Sequence, residues 1–160
     1  MEAKVVRGSK MSTYILTGKG DFVDIFSVEA EKEKKAYLEG AVELVLEGKV
    51  VLDKNLWDDV EFIWWGLVDM AVGFKGEGSM DFPDQPISVT LVRKERGWLK
   101  FEVKSLRGGV ISASSVKEEE FFHLLKSEGM RTLSRLLVLN PANADSHDRA
   151  LAKLAALGIP

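Results

Sequence analysis

Residues 87–104 read Ile87-Ser88-Val89-Thr90-Leu91-Val92-Arg93-Lys94-Glu95-Arg96-Gly97-Trp98-Leu99-Lys100-Phe101-Glu102-Val103-Lys104. Ile87, Val89 and Leu91 alternate with Ser88 and Thr90, and Leu99, Phe101 and Val103 alternate with Lys100, Glu102 and Lys104. Neighbouring side chains on a strand point to opposite faces, so this period of two predicts two strands with one apolar and one wet face. Parity then sets the register. A two-residue turn would put Leu91 opposite Lys100 and mix the faces. A three-residue loop, Glu95-Arg96-Gly97, pairs Leu91 with Phe101 and Val89 with Val103. It also gives Gly97 the left-handed position that such loops require.

The same logic extends in both directions. Downstream, a loop at Leu106-Arg107-Gly108 pairs Val103 with Ile111 and Phe101 with Ala113. Upstream, Gly78 to Phe82 joins through Phe82-Pro83-Asp84-Gln85-Pro86, which sets Phe82 against Ile87 and Met80 against Val89. The expectation is a four-stranded antiparallel meander over about 78–114, with helices before and after it packed on one sheet face, an α+β fold. Ser115 and Glu118 read as a capping box opening a helix to about Leu139 that buries Phe122, Leu125, Leu133 and Leu136. Gly129 is a candidate kink in it, Asn140-Pro141 ends it, and a last helix spans Ser146 to Leu157.

Before the meander, Thr13–Leu16 and Phe22–Phe26 are short extended pieces. Ser27 is placed to cap a helix from Val28 to Glu47, which would carry Gly40 as a weak point and end at a left-handed Gly48. Val50–Leu52 is a brief strand. Asn55 would cap a helix from Leu56 to Phe74 with Asp58 in its first turn, apolar on nearly every side and therefore central to the core. Residues 11–160 form one domain, with residues 1–10 set apart as a possible leader or tag-like segment.

Composition narrows the chemistry. The chain has 160 residues, no cysteine and a net charge of −3. Disulfides, thiolate metal sites and a cysteine nucleophile are excluded. Neither half has the basic excess of a nucleic-acid binder. The longest apolar run, Phe62 to Phe74, is shorter than the ~20 residues needed to cross a bilayer. A cytoplasmic setting without nucleic-acid or membrane partners is expected, and neither a cofactor nor a metal. Its two histidines, His123 and His147, lack the spacing of a metal pair, and no phosphate-binding glycine fingerprint is present.

Three features stand out as site candidates. Glu39, Glu43 and Glu47 recur every four residues on the expected first helix, where like charges repel and Glu47 lies near the negative end of the dipole. The ordinary explanation is a solvated face, and the functional one is a docking surface for a basic partner. Trp57, with Asp58 and Asp59, joins this set as an aromatic anchor among acids. Asp69 is the only charge between Phe62 and Phe74. It either lines a pocket with Glu61 and Trp65 or shares a wet stripe with them.

The acidic helix, the Phe82-Pro83-Asp84-Gln85-Pro86 connection into a meander and the closing helices together resemble the small bacterial immunity proteins of polymorphic and contact-dependent toxin systems. The resemblance is one of plan and transfers no residue roles. It implies a cytoplasmic, non-catalytic protein whose partner is a protein, a basic toxin domain that it binds and neutralises. The alternative is a small-ligand-binding protein or enzyme with its pocket around Asp69.

Overall fold

A computed structural model describes residues 8–30 and 38–158. The meander is present and builds one of two antiparallel sheets. Its strands are β6 (Glu77–Asp81), β7 (Ile87–Arg93), β8 (Trp98–Ser105) and β9 (Val110–Lys117), in that order. The other sheet has the order β2-β1-β3-β4, with β1 (Lys10–Leu16), β2 (Phe22–Asp24), β3 (Glu39–Leu46) and β4 (Lys49–Leu52). The two-residue β5 (Asp58–Asp59) pairs with β3. Three helices complete the fold: α1 (Val60–Val72), α2 (Glu118–Leu139) and α3 (Ala144–Ala156).

The first meander hairpin has the expected register, Leu91 opposite Phe101 and Val89 opposite Val103. Arg96 (φ 57°) and Gly97 (φ 77°) both turn left-handed in its loop. A β-branched side chain resists that conformation, so Gly97→Val should cost on the order of 1 kcal/mol or more, although a Cβ there meets no other atom. An unchanged melting midpoint would contradict the loop geometry. Met80 pairs with Val89, again as expected.

The second hairpin departs by one residue. Val103 faces Ser112 and Phe101 faces Ser114, because β9 carries a bulge where Lys104 pairs with Val110. The slip turns Ser112 and Ser114 inward, where their hydroxyls donate to the carbonyls of Val51 (2.6 Å) and Leu46 (3.1 Å). Those bonds stitch the edge of the first sheet to the second. A bulge here is therefore what lets the two sheets meet with their polar backbone satisfied.

The largest correction concerns the first expected helix. Residues 31–37 lie outside the described residues, but Glu39–Leu46 is a strand, paired with β1 (Thr13 opposite Val42, Tyr14 opposite Ala41) and with β4. Glu47 (φ 51°) and Gly48 (φ 79°) form the two-residue turn of a hairpin. Two left-handed residues in succession are the signature of a type I′ turn, matched to the twist of the strands. Ser9, from the segment set apart above, joins this turn by accepting from the Glu47 backbone N–H (3.2 Å).

α1 begins later than expected. Asp53 caps a single turn at Lys54–Leu56, and the true helix cap is Asp59, whose carboxylate accepts from the backbone of Glu61 (3.1 Å) and Phe62 (3.3 Å). α2 starts at Glu118 with no side-chain cap, since Ser115 remains in β9. Its first turn instead carries Glu118, Glu119 and Glu120, which suit the positive end of the dipole. Gly129 does not interrupt α2; it is buried, and a Cβ there would come within 2.6 Å of the Leu154 side chain of α3, so it is a close approach of the two helices. The core lies between the sheets, α1 and α2. Trp64 is fully buried and its indole N–H donates to Thr13 on β1 (3.0 Å), while Phe121 of α2 packs on Phe101 of β8.

Candidate functional site

Two ionisable residues are completely buried and paired. Glu61, on the first turn of α1, and His147, on α3, each have 0% side-chain exposure and meet at 2.6 Å. The hydrogen bonds fix their protonation geometry. Trp65 Nε1 can only donate, and it lies 3.2 Å from His147 Nδ1. Nδ1 therefore accepts, and Nε2–H donates to Glu61 Oε2. The carboxylate collects three further donors: Leu38 backbone N–H (3.2 Å) and Asn140 Nδ2 (2.8 Å) on Oε1, and Asn143 Nδ2 (3.1 Å) on Oε2.

This satisfies a demanding group. Burying a carboxylate costs several kcal/mol unless donors replace its water, and hydrogen bonds to a charged acceptor contribute roughly 1.5–3 kcal/mol each. Glu61 has four donors and sits at the positive end of α1. The network ties together the start of β3, α1, the end of α2 at Asn140, and α3. Asn140, expected only to end a helix, is thus also a ligand of the buried carboxylate. Both ring nitrogens of His147 are engaged, so it serves as a strut.

The strut supports an exposed face. Trp65 is half-buried, stacks at a tilt on His147 (5.3 Å between centroids) and meets Phe62 edge-on at 4.9 Å. Phe62 is 52% exposed and Trp57, just before the helix, is 41% exposed. Val72 continues the exposed side of α1. Asp69 lies on the same side with a side chain 63% exposed, its Oδ1 accepting from Lys153 of α3 at 2.8 Å. A shallow cleft of about 160 Å³ runs here, lined by Trp65, Asp69, Ser146, Arg149, Ala150 and Lys153. Small-molecule sites usually begin near 300 Å³. Trp65 and Asp69 thus line this one cleft, whereas Glu61 is sealed inside and Asp69 faces solvent.

The acidic docking set is divided. Glu39 and Glu43 remain on one face of β3, about 13 Å apart by strand geometry. Glu47 lies in the β3–β4 turn, where the hydrogen-bonded Glu120 carboxyl, and then burial, push its carboxyl above its usual range. The pairing of β3 with β5 sets Glu39 opposite Asp59 and Gly40 opposite Asp58, close to Trp57 in the chain. Asp58 and Asp59 are themselves buried and occupied. Asp58 accepts from the backbone of Asp84 (3.0 Å) and Gln85 (2.8 Å), holding the proline-flanked connection against the start of α1. Gln85 Nε2 also donates to the Trp57 carbonyl (2.5 Å).

Burial is the main cause that pushes the Asp59 carboxyl from 3.8 up to about 6, against the pull of its two backbone donors. The sign of the consequence follows from linkage. Between those values the folded protein holds a proton that the unfolded chain has released, so stability falls as pH rises through this window and levels off above it. Asp59→Asn keeps the cap but cannot titrate. Relative to that variant, the wild type should lose on the order of 1–2 kcal/mol between about pH 4 and pH 6. Denaturant melts at both ends of the window test it, and a constant difference would contradict the burial of this carboxyl.

Among the described residues no group of three or more His, Asp or Glu side chains is placed to hold a metal ion, and no helix is long and apolar enough to cross a membrane. His123 is exposed on α2. Both members of the buried pair left a trace in the sequence. Glu61 is in phase with Trp64 and Val68, and His147 with Ala150 and Leu154, which are the buried stripes of their helices. No protein-family model, curated protein or solved structure matches the chain.

Proposed function

We propose that the chain is a non-catalytic protein-binding module acting as an immunity protein, a cytoplasmic chain that covers a basic toxin domain. One observation carries this reading: α1 presents exposed Phe62 and Val72 and half-buried Trp65 along one side, directly over a fully hydrogen-bonded buried strut. Interface hot spots are enriched in aromatic anchors, and anchors bind best when their rotamers are held from beneath. Exposed Trp57 and Glu39 lie at the N-terminal end of this face, so a carboxylate accompanies the aromatics on the side offered to a basic partner.

The pocket alternative draws less support. The cleft beside Trp65 is small, Asp69 is paired with Lys153, and His147 has no free ring nitrogen with which to move a proton.

Affinity capture from the native cell with wild-type and Phe62→Asp protein tests the reading. Phe62 is exposed, so the variant should keep its melting midpoint within about 0.5 kcal/mol of wild type. A protein retained by the wild type and lost by the variant supports the proposal. Identical captured sets for the two proteins contradict it.

A further inference from the structure

The outer face of the meander carries charges that its own strands leave unpaired. On β6 this face presents Glu77, Ser79 and Asp81; on β7 Val92, Thr90 and Ser88; on β8 Lys100, Glu102 and Lys104. The register aligns these as rows: Glu77–Val92–Lys100, Ser79–Thr90–Glu102 and Asp81–Ser88–Lys104. Glu102 bridges the two lysines, 3.0 Å from each, and Lys104, then Lys100, hold its carboxyl below its usual range. Glu77 and Asp81 have no ion-pair partner among the described residues. Two strand spacings, about 9.6 Å, separate them from the lysines of their own rows. The opposite face of these strands is the buried core, and the helices pack there.

We propose that this face pairs with the same face of a second copy, about a twofold axis running along β7. Such an axis keeps each row and exchanges the outer columns. It sets Glu77 over Lys100 and Asp81 over Lys104 of the second copy, twice by symmetry, which satisfies the self-complementarity an isologous interface requires. The column on the axis, Ser88, Thr90 and Val92, is small enough for two sheets to approach to the usual ~10 Å, with the long charged side chains filling the flanks. The acidic column of β6, the neutral middle of β7 and the lysine-bearing column of β8 are complementary to a second copy in this way, and β9 lies outside the overlap.

The area sets the strength. Three strands about 4.8 Å apart and five to seven residues long offer about 250–350 Å² per copy, below the total of about 1,000 Å² that a strong specific interface clears. The dimer is therefore weak and, because its pairs sit at the rim, sensitive to salt.

Sedimentation velocity over a concentration series up to about 1 mM tests this. The wild type should show a monomer–dimer equilibrium whose dissociation constant rises about tenfold or more from low to high salt. Two charge reversals probe the geometry: Lys100→Glu with Lys104→Glu, and Glu77→Lys with Asp81→Lys. Each should be monomeric alone, and an equimolar mixture should dimerise, because each acidic column then meets a basic one. The milder pair Lys100→Gln and Lys104→Gln, with melting curves for all variants, separates lost association from lost folding. A wild type that stays monomeric throughout, dimers indifferent to the reversals, or a mixture that remains monomeric would overturn the proposal.

Discussion

His147→Ala should destabilise the protein by about 3 kcal/mol, because it leaves buried polar partners unsatisfied at about 1–3 kcal/mol and opens a cavity besides. The loss has three parts. Glu61, fully buried, loses its closest donor, at 2.6 Å. Trp65 loses the acceptor for its indole N–H. A cavity opens where the imidazole packed between α1 and α3. Urea melts of the variant give the number directly. A loss under about 1 kcal/mol for His147→Ala would mean that the pair is not sealed from solvent.

Gly40→Ala should cost about 3 kcal/mol, near the upper end for overpacking. A Cβ at this position would fall 2.1 Å from the Tyr14 carbonyl oxygen and 3.2 Å from the Val60 Cβ. The first obstacle is backbone of the paired strand β1, which cannot swing aside as a side chain can. The sign carries as much information as the size. If residues 28–47 formed a helix, the same change would stabilise it by roughly 0.5–1 kcal/mol. Thermal melts of this one variant therefore separate the strand from the helix that the sequence suggests.

That position also explains where sequence reasoning failed. The meander was legible because β7 and β8 bury one face and wet the other, so their sequence alternates. β3 is buried on both faces for most of its length, and only Glu39 and Glu43 interrupt it. A strand covered on both sides has no alternation to read. A spacing of four residues fits a helix turn, but it is also an even number, so Glu39 and Glu43 share a face in a strand as well. Gly48 completed the ambiguity, since a left-handed glycine ends a helix and turns a hairpin equally well.

The site was half legible for a related reason. Trp57 stood out as an aromatic among acids and is exposed, and Asp69 stood out as a lone charge and faces solvent. Glu61 and His147 were hidden because a charged residue in phase with an apolar stripe looks like an interruption of it. Only when α1 and α3 pack together does each supply the partner that makes the other's burial tolerable. The second hairpin was misjudged by one residue, because a bulge at Val110 is required by the contact of β9 with β4, and that contact joins residues some sixty positions apart.

The central claim is that the exposed side of α1, with Trp57, is where a protein partner docks. Hydrogen exchange on the complex recovered by affinity capture tests it most directly. Partner binding excludes water from the interface and slows the opening of the elements beneath it. The account predicts that peptides spanning residues 57–72 gain protection in the complex relative to the free protein. Protection confined to other segments, with 57–72 exchanging as in the free protein, would contradict it.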